Sequence, residues 1–447
     1  MNRTLRNILV PAMLLVTLTA GGSDFRVGIA RRCITPEFPI WLNGYAARQS
    51  PSTGKMHDLW AKALVIEENP SAKVIIVTVD VLGLTREITT QVTDRVIKQY
   101  GISRSQLLLN SSHTHAAPVI WPELSGMFSF TPDELTAVIL YCHRLTDDIT
   151  AVIDSAMAHR APMDIECGHG SAGFGMNRRG TTVNPADNDV PVIRFVSPGG
   201  KTEAILCGYA CHNVTLDADN ILVSGDYSGY AMIELEKANP GATAFFLAGC
   251  GADQDPSPRG SVEMAELNGK TLAGAVGKAI SGGMRRVRPP LRTAFTTVEL
   301  EFPPMNVEQF QNEILSDDFY VRNRARLMLE AYNKWWDATR FTYPVQAIRF
   351  NRDLTLLGMG GEVVVDYSLN TKKRYPAENL FVAGYCSEVT CYIPSLRILK
   401  EGGYEASSAM IYYAFPGPFA DNVEYLVTGA IDKVMKKVGA KPAKHQK

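Results

Sequence analysis

Apolar positions along the chain switch between a period of two and a period near three and a half, and the switches mark out its elements. Residues 25–34 and 59–67 read as strands separated by a loop rich in Gly, Pro and Ser. The run 74–80, Val-Ile-Ile-Val-Thr-Val-Asp, is β-branched and apolar and ends on Asp80. Residues 86–100 carry apolar side chains at helical spacing, and 106–112 return to a strand. Strand, helix and strand in that order form a βαβ unit, the building block of a parallel sheet covered by helices. A second long helical pattern occupies 131–157. Its start, Thr131-Pro-Asp-Glu134, offers a capping side chain with Pro at the first helical position. Further strands are predicted at 204–209, 244–247, 298–302, 345–350 and 354–359. Residues 304–341 depart from this pattern: they are charged, helical and rich in Arg and Glu, with Trp335-Trp336 near the end. That segment is a helical excursion that either borders a site or forms a plain surface helix pair. The expected fold is α/β, with mixed, largely parallel β-sheets flanked by helices, in a single large domain over 23–437 followed by a flexible tail, 438–447.

Composition adds little to this outline and excludes some partners. The 447 residues are 46% hydrophobic and 20% charged, with a formal net charge of -1. That balance is ordinary for a globular protein and points to neither nucleic acid nor an anionic membrane surface. The N-terminus says more. Arg3 and Arg6 precede an almost wholly apolar stretch, 8–20, and then the small residues Ala20-Gly21-Gly22-Ser23. This is the layout of a secretory signal peptide over 1–22, so export to a periplasm or medium is expected, an uncleaved anchor being the alternative. No later segment is apolar for long enough to span a bilayer. Export would permit disulfides among the eight Cys. None forms a CxxC pair, which argues against a Cys-based zinc knuckle. Cys386 and Cys391 are close enough to bridge a short loop, with buried free thiols as the alternative reading.

Three segments carry candidate chemistry. Asn110-Ser-Ser-His-Thr-His-Ala-Ala-Pro118 lies where a buried strand emerges into a loop, the place where ligands gather in α/β sheets. In an extended chain side chains two apart point the same way, so His113 and His115 would share a face as a metal or acid/base pair. Gly208-Tyr-Ala-Cys-His-Asn213 places His212 after another strand, followed by the Gly-punctuated turn Val223-Ser-Gly-Asp-Tyr-Ser-Gly-Tyr230. Then Phe245-Phe-Leu-Ala-Gly-Cys-Gly-Ala-Asp-Gln-Asp-Pro-Ser-Pro258 runs from a strand into a loop of small residues with two acids and a Ser between prolines. Such a loop lets backbone come close to a ligand. Asp80, at a strand end, would hold a ligand His from behind or fix a loop.

Taken in order, these motifs resemble the neutral/alkaline non-lysosomal ceramidases. The resemblance extends to Gly360-Gly-Glu362, to Phe381-Val-Ala-Gly-Tyr385 with Cys391-Tyr-Ile393, and to Lys400-Glu-Gly-Gly-Tyr-Glu405, and covers roughly residues 25 to 430. It implies a catalytic zinc ion, Zn2+, held by His113, His212, Glu362 and Tyr392. It implies that His115, Arg178 and Tyr404 surround the scissile bond, and that Ser257 stands where the family carries its active-site Ser. Two His and one Glu make a usual catalytic zinc set with room for water and substrate. Arg178 and Tyr404 would donate to a developing oxyanion, and His115 would pass a proton to the leaving group. Ser257 would orient water or substrate and not act as a covalent nucleophile, since the histidines are otherwise occupied.

The sequence also departs from the family. It stops soon after the Tyr404 segment, without the family's C-terminal immunoglobulin-like domain. His115 is followed by Ala-Ala-Pro in place of a Gly-rich stretch, and the Ser257 loop is longer and more acidic, with Arg259 beside the Ser. The resemblance therefore implies a zinc amidohydrolase acting on an N-acyl linkage, with a ceramide-like lipid as the first substrate to consider. One rival is the same centre cleaving an ester, N-acetyl or glycan linkage of a polar small molecule, for which Trp121, Trp335 and Trp336 are candidate platforms. Another is an exported zinc-binding protein without turnover.

Overall fold

The apolar runs near the start of the chain pair edge to edge. The computed structural model describes residues 23–180, 184–334 and 338–443. In it β1 (Phe25–Cys33), β2 (Trp60–Asn69), β3 (Ala72–Val79), β4 (Leu107–Ser111), β5 (Arg160–Ser171), β6 (Asp189–Val196), β7 (Thr202–Tyr209) and β8 (Thr243–Ala248) build one large sheet. Their order is β8-β7-β6-β5-β1-β2-β3-β4. The sheet is mixed, as expected, but not largely parallel. Parallel pairing is confined to its two ends, β3 with β4 and β7 with β8. The pairs between them are antiparallel. The physical reason is connection length, because a parallel pair needs a crossover. Only α1 (Arg86–Tyr100) and α3 (Asp226–Ala238) supply one here, whereas β2 turns straight into β3.

A second sheet, β9 (Leu291–Glu301), β10 (Arg340–Phe350), β11 (Leu354–Met359) and β12 (Leu380–Ala383), packs against the first. Phe25, Ile76 and Phe245 of the large sheet meet Ile348, Leu356 and Phe381 of the small one. Burying each such side chain stabilises the domain by about 1.5–3 kcal/mol. Helices close the outer faces. Helix α1 and α2 (Pro132–Ala158) cover β1 to β4, and α3 and α4 (Val262–Ser281) cover β6 to β8. The last helix, Val423–Lys437, covers the small sheet. Helix α2 starts as predicted, with Thr131 accepting from Glu134 N and Pro132 at the first helical position.

Asn110, near the end of β4, ties the two edges of the large sheet together. Its Nδ2 donates to Gly384 O (2.8 Å) and its Oδ1 accepts from Ala248 N of β8 (3.0 Å). The loops that leave β4 and β7 are thereby brought to one place.

The excursion is helical and interrupts the β9–β10 hairpin, with helices at Val307–Glu313 and Phe319–Asn333. It reaches toward the loops of the first half: Tyr320 Oη donates to Ala46 O (2.8 Å) and Asn323 Nδ2 to Gly126 O (3.1 Å). Trp335 and Trp336 lie outside the described residues, as does the expected signal segment 1–22. Trp121 packs against Phe130, with ring centroids 5.8 Å apart, and is not among the described residues that line the site cavity. The tail is less free than expected. Val438 and Ala440 are buried, and Ala443 N donates to Arg374 O (2.8 Å), so the chain packs onto the domain beyond Lys437. All eight cysteines are free thiols, Cys386 and Cys391 included. Among the described residues no helix is long and apolar enough to cross a membrane.

Candidate functional site

After β4 the backbone turns sharply. His113 has a φ of 61°, a left-handed conformation uncommon for any residue with a side chain. The turn is held by His113 N donating to Val81 O (3.0 Å) and by His113 Nδ1 donating to Leu82 O (2.7 Å). His113 and His115 therefore do not share the face of an extended strand. The turn brings them together instead, with their Nε2 atoms 3.3 Å apart. Thr114 bridges Asn213 and His115 N donates to Asn213 O (3.3 Å), which fastens the His113 loop to the loop that carries His212. His212 Nδ1 donates to Gly251 O (2.8 Å). Gly251 leaves no room for a side chain there, since a Cβ would lie 2.3 Å from Cys211 N.

Glu362 and Tyr392 come from the other half of the chain. Glu362–Val363 and Tyr392–Ile393 form a two-stranded parallel ribbon in which Glu362 and Tyr392 are register partners. Glu362 Oε2 lies 3.1 Å from His113 Nε2 and 3.0 Å from His212 Nε2, and Tyr392 Oη lies 3.2 Å from His212 Nε2. All four side chains are buried. Tyr413, which gave no sign in the sequence, donates its O–H to Glu362 Oε1.

These contacts test whether a metal ion fits. Each Nδ1 faces a carbonyl oxygen, which only accepts, so each Nδ1 carries the hydrogen and each Nε2 presents a lone pair. The two lone pairs converge on a carboxylate oxygen, Glu362 Oε2, that has no hydrogen-bond donor of its own. Buried acceptors in mutual contact require a shared cation or protons between them, and one metal ion satisfies them together. Burial, and then the Arg178 guanidinium, lower the pKa of His212. His113, His115 and His212 form a group whose ligand atoms all lie within 4.8 Å of one another and which can hold a metal ion. His115 is thus beside the centre, and its own pKa is driven well down by burial and by His113 and His212.

Asp80 does not hold a ligand from behind. Its Oδ2 accepts from Trp60 N (2.9 Å), which fixes the strand end, and backbone carbonyls orient the two histidines instead.

Above the centre opens a cavity of about 530 Å³. Arg178 sits on its wall, just after a short antiparallel ribbon formed by Gly175–Asn177 and Gln254–Pro256. Its guanidinium donates to Tyr392 Oη (3.1 Å), Asp255 Oδ1 (3.0 Å) and Glu405 Oε1 (2.8 Å). Tyr404 is 42% exposed and lines the same wall, with the Arg178 guanidinium 5.4 Å from its ring centre. Ser257 does not line it. It is exposed two residues further along, where its N–H donates to Phe174 O (2.7 Å). Asp255, one of the two acids of that loop, faces the cavity in its place, between Arg178 and Arg259. Glu405 lay inside the quoted Tyr404 motif, so both acids were within reach of the sequence.

The fold and this arrangement can be compared with known proteins. Residues 25–252 match the family described as neutral/alkaline non-lysosomal ceramidase, N-terminal. The chain belongs to this family. His113, His115, Arg178 and His212 lie inside the matched span, while Glu362, Tyr392 and Tyr404 lie beyond it. Among neutral ceramidases, that of Drosophila melanogaster is 25% identical over 272 residues, covering 55% of this chain and 38% of the relative. That of Pseudomonas aeruginosa is 24% identical over 245 residues, covering 50% and 36%. The aligned region thus spans well under half the length of these curated relatives. A solved structure of neutral ceramidase from Pseudomonas aeruginosa superposes with a TM-score of 0.73 over 94% of this chain and 76% of that one, at 17% identity. A ceramidase complexed with C2 gives a TM-score of 0.71 at 17% identity, over 94% and 77%. The ceramidase fold therefore extends well past the matched N-terminal span.

Proposed function

We propose that this chain is an exported, zinc-dependent amidohydrolase that cleaves an N-acyl linkage, with ceramide and related N-acyl lipids as the first substrates to try. The observation that carries the reading is the convergence of His113 Nε2, His212 Nε2, Glu362 Oε2 and Tyr392 Oη on one buried point beneath an open cavity. Membership in the ceramidase family supports the reaction class, and the N-terminal residues 3–23 support export.

His113, His212, Glu362 and Tyr392 would hold the zinc, with Leu82 O, Gly251 O and Tyr413 Oη fixing their orientation. A zinc ion so held would supply a Lewis acid for a carbonyl and would lower the pKa of bound water to about 7. The chain's own groups account for the rest. Arg178 and Tyr404 sit on the open side, where N–H and O–H donors stabilise charge as it develops on the carbonyl oxygen. His115 stands next to the centre, where its ring is placed to take a proton and release it to the departing amine nitrogen. Ser257 has no part in bond making on this reading. In domain terms, 23–437 is the catalytic unit and 304–341 an insertion at its edge.

The test is hydrolysis by purified protein. N-acyl lipids, acyl esters and acylated sugars would be compared before and after chelation, and again after zinc is restored. Amide cleavage that disappears on chelation and returns with zinc is the expected result. Turnover indifferent to chelation, or confined to esters, would remove the proposal. A second reading, the same centre acting on a polar substrate, is favoured by the charged walls of the cavity.

A further inference from the structure

Paired charges line much of the wall above the centre. Among the described residues lining the cavity, Val214 is the sole aliphatic side chain, while six carry charge: Arg178, Arg179, Asp255, Arg259, Glu401 and Glu405. The charges are paired with each other. Arg178 joins Asp255 and Glu405, Arg179 joins Glu401 and Glu405, and Arg259 joins Asp255 (2.7 Å) and Asp217 (3.1 Å). Three guanidiniums thus meet four carboxylates, Asp217 standing just outside the lining, in a lattice that is close to neutral and still holds unused donors and acceptors.

Such a wall discriminates by chemistry. An alkyl chain laid on it would strip water from paired charges and return no hydrogen bond, which is unfavourable. A charged group would meet one partner and oppose its neighbour. A hydroxyl both donates and accepts, so it can bridge a carboxylate and the adjacent guanidinium without disturbing either. Two tyrosine rings, Tyr45 and the part-exposed Tyr404, add flat faces at the same cavity. Rigid, amphipathic rings of this kind suit the C–H face of a cyclic polyol.

From this we infer that the substrate is a short-chain N-acyl compound whose amine half is neutral and rich in hydroxyls, of the amino-sugar or amino-polyol class. The inference rests on the amidohydrolase reading and names the substrate class for that site. Arg259 is the specificity residue it singles out. Its side chain is 35% exposed at the cavity rim, and it is tethered by Asp255 and Asp217, with Tyr45 Oη 3.4 Å from its Nη2.

The experiment uses the zinc-loaded protein and a two-way panel. Acetyl, octanoyl and palmitoyl amides of glucosamine, of an amino acid and of a sphingoid base would be compared by kcat/KM, beside the matching acyl esters. An apolar channel would improve binding by up to about fourfold for each added methylene. The charged wall predicts the reverse order, with the acetyl amide of glucosamine best and kcat/KM falling at least about tenfold on going to palmitoyl. Arg259→Met should raise KM for that substrate about tenfold, the size of one lost hydrogen bond to a charged group, with kcat largely kept. Preference for the palmitoyl sphingoid amide, or for the acyl amino acid, overturns this inference and leaves the amidohydrolase reading standing. Cleavage of the esters without any amide overturns that reading itself, and no turnover across the panel overturns both.

Discussion

Arg178 donates from Nη2 to the phenolic oxygen of Tyr392 at 3.1 Å, so the guanidinium on the cavity wall is joined directly to the cluster that can hold the metal. The same guanidinium is fixed on its other edges by Asp255 and Glu405. The fork is thereby aimed before any substrate arrives, and its charge stands beside the point where a carbonyl oxygen would become negative. Preorganisation of this kind is the usual source of large rate effects in hydrolases.

Arg178→Ala should therefore reduce turnover by about 100- to 1000-fold, the range seen for loss of an oxyanion donor. Zinc content should remain near one ion per chain, because no Nε2 or carboxylate oxygen is removed. Rate measurement on the true substrate together with metal analysis checks both halves. A near-normal rate would withdraw the role given to Arg178, and Tyr404→Phe tests Tyr404 in the same way.

Metal affinity should respond to a residue that touches no ion. Tyr413 donates to Glu362 Oε1 and so leaves Oε2 as the free ligand atom. Tyr413→Phe should keep the fold and weaken zinc binding by about 10- to 100-fold, as loss of a ligand's supporting hydrogen bond does. His113→Ala and His212→Ala should abolish stoichiometric binding. Competition against a chelator of known affinity separates these outcomes, and unchanged affinity in Tyr413→Phe would contradict the orientation argument.

Much of this was readable in the sequence, and the failures have physical causes. The βαβ unit over 74–112 and the cap at Thr131 follow from local rules, and both are present. Strand β5 was not predicted, because Pro162, Gly168 and Gly170 confine its clear alternation to Met163–Cys167, yet it lies at the middle of the large sheet. Its pairing with β1 and β6 outweighs its propensity. The parallel character was overestimated because apolar runs such as Val74 to Val79 look alike in parallel and antiparallel sheets. At the site, His113 and His115 were paired for the wrong geometric reason, since the left-handed turn at His113 cannot be read from residue types alone. Tyr413 was invisible, a tyrosine in a short helix whose partner, Glu362, is distant in sequence.

Stability should fall as pH drops from about 6.5 toward 4, in part through His57. Its Nε2 accepts from Gly225 N (2.7 Å), and its ring sits edge-on to Tyr230. Burial, opposed only weakly by Asp58, pushes its pKa down to about 4. A base with a depressed folded pKa binds protons more readily when unfolded, so its contribution is complete above the unfolded value and lost on descent through the folded one. Protonation would also break the bond to Gly225 N. His57→Gln, whose side-chain oxygen can still accept that bond, should flatten the slope in this window. Denaturant midpoints at pH 4.5, 5.5 and 7 for both proteins measure it, and identical slopes would exclude His57 as a contributor.

The last expectation separates two residues of one loop. Ser257 is exposed, makes its described contact through its backbone N–H to Phe174 O, and does not line the cavity. Alanine keeps that N–H, so Ser257→Ala should retain activity within about threefold, as surface changes usually do. Asp255 accepts from Arg178 at Oδ1 and from Arg259 at Oδ2, and the nearby guanidiniums outweigh burial to keep it ionised below its ordinary range. Removing it frees both guanidiniums and leaves Arg178 held by Glu405 and Tyr392 alone. Asp255→Ala should therefore cost at least about tenfold in kcat/KM, with the loss of one buried charge-assisted contact as the lower bound. Asp255→Asn, which keeps one acceptor, should fall between. The reverse order, with Ser257→Ala inactive and Asp255→Ala unaffected, or a covalent acyl adduct trapped on Ser257 by mass spectrometry, would return the active-site role to the serine.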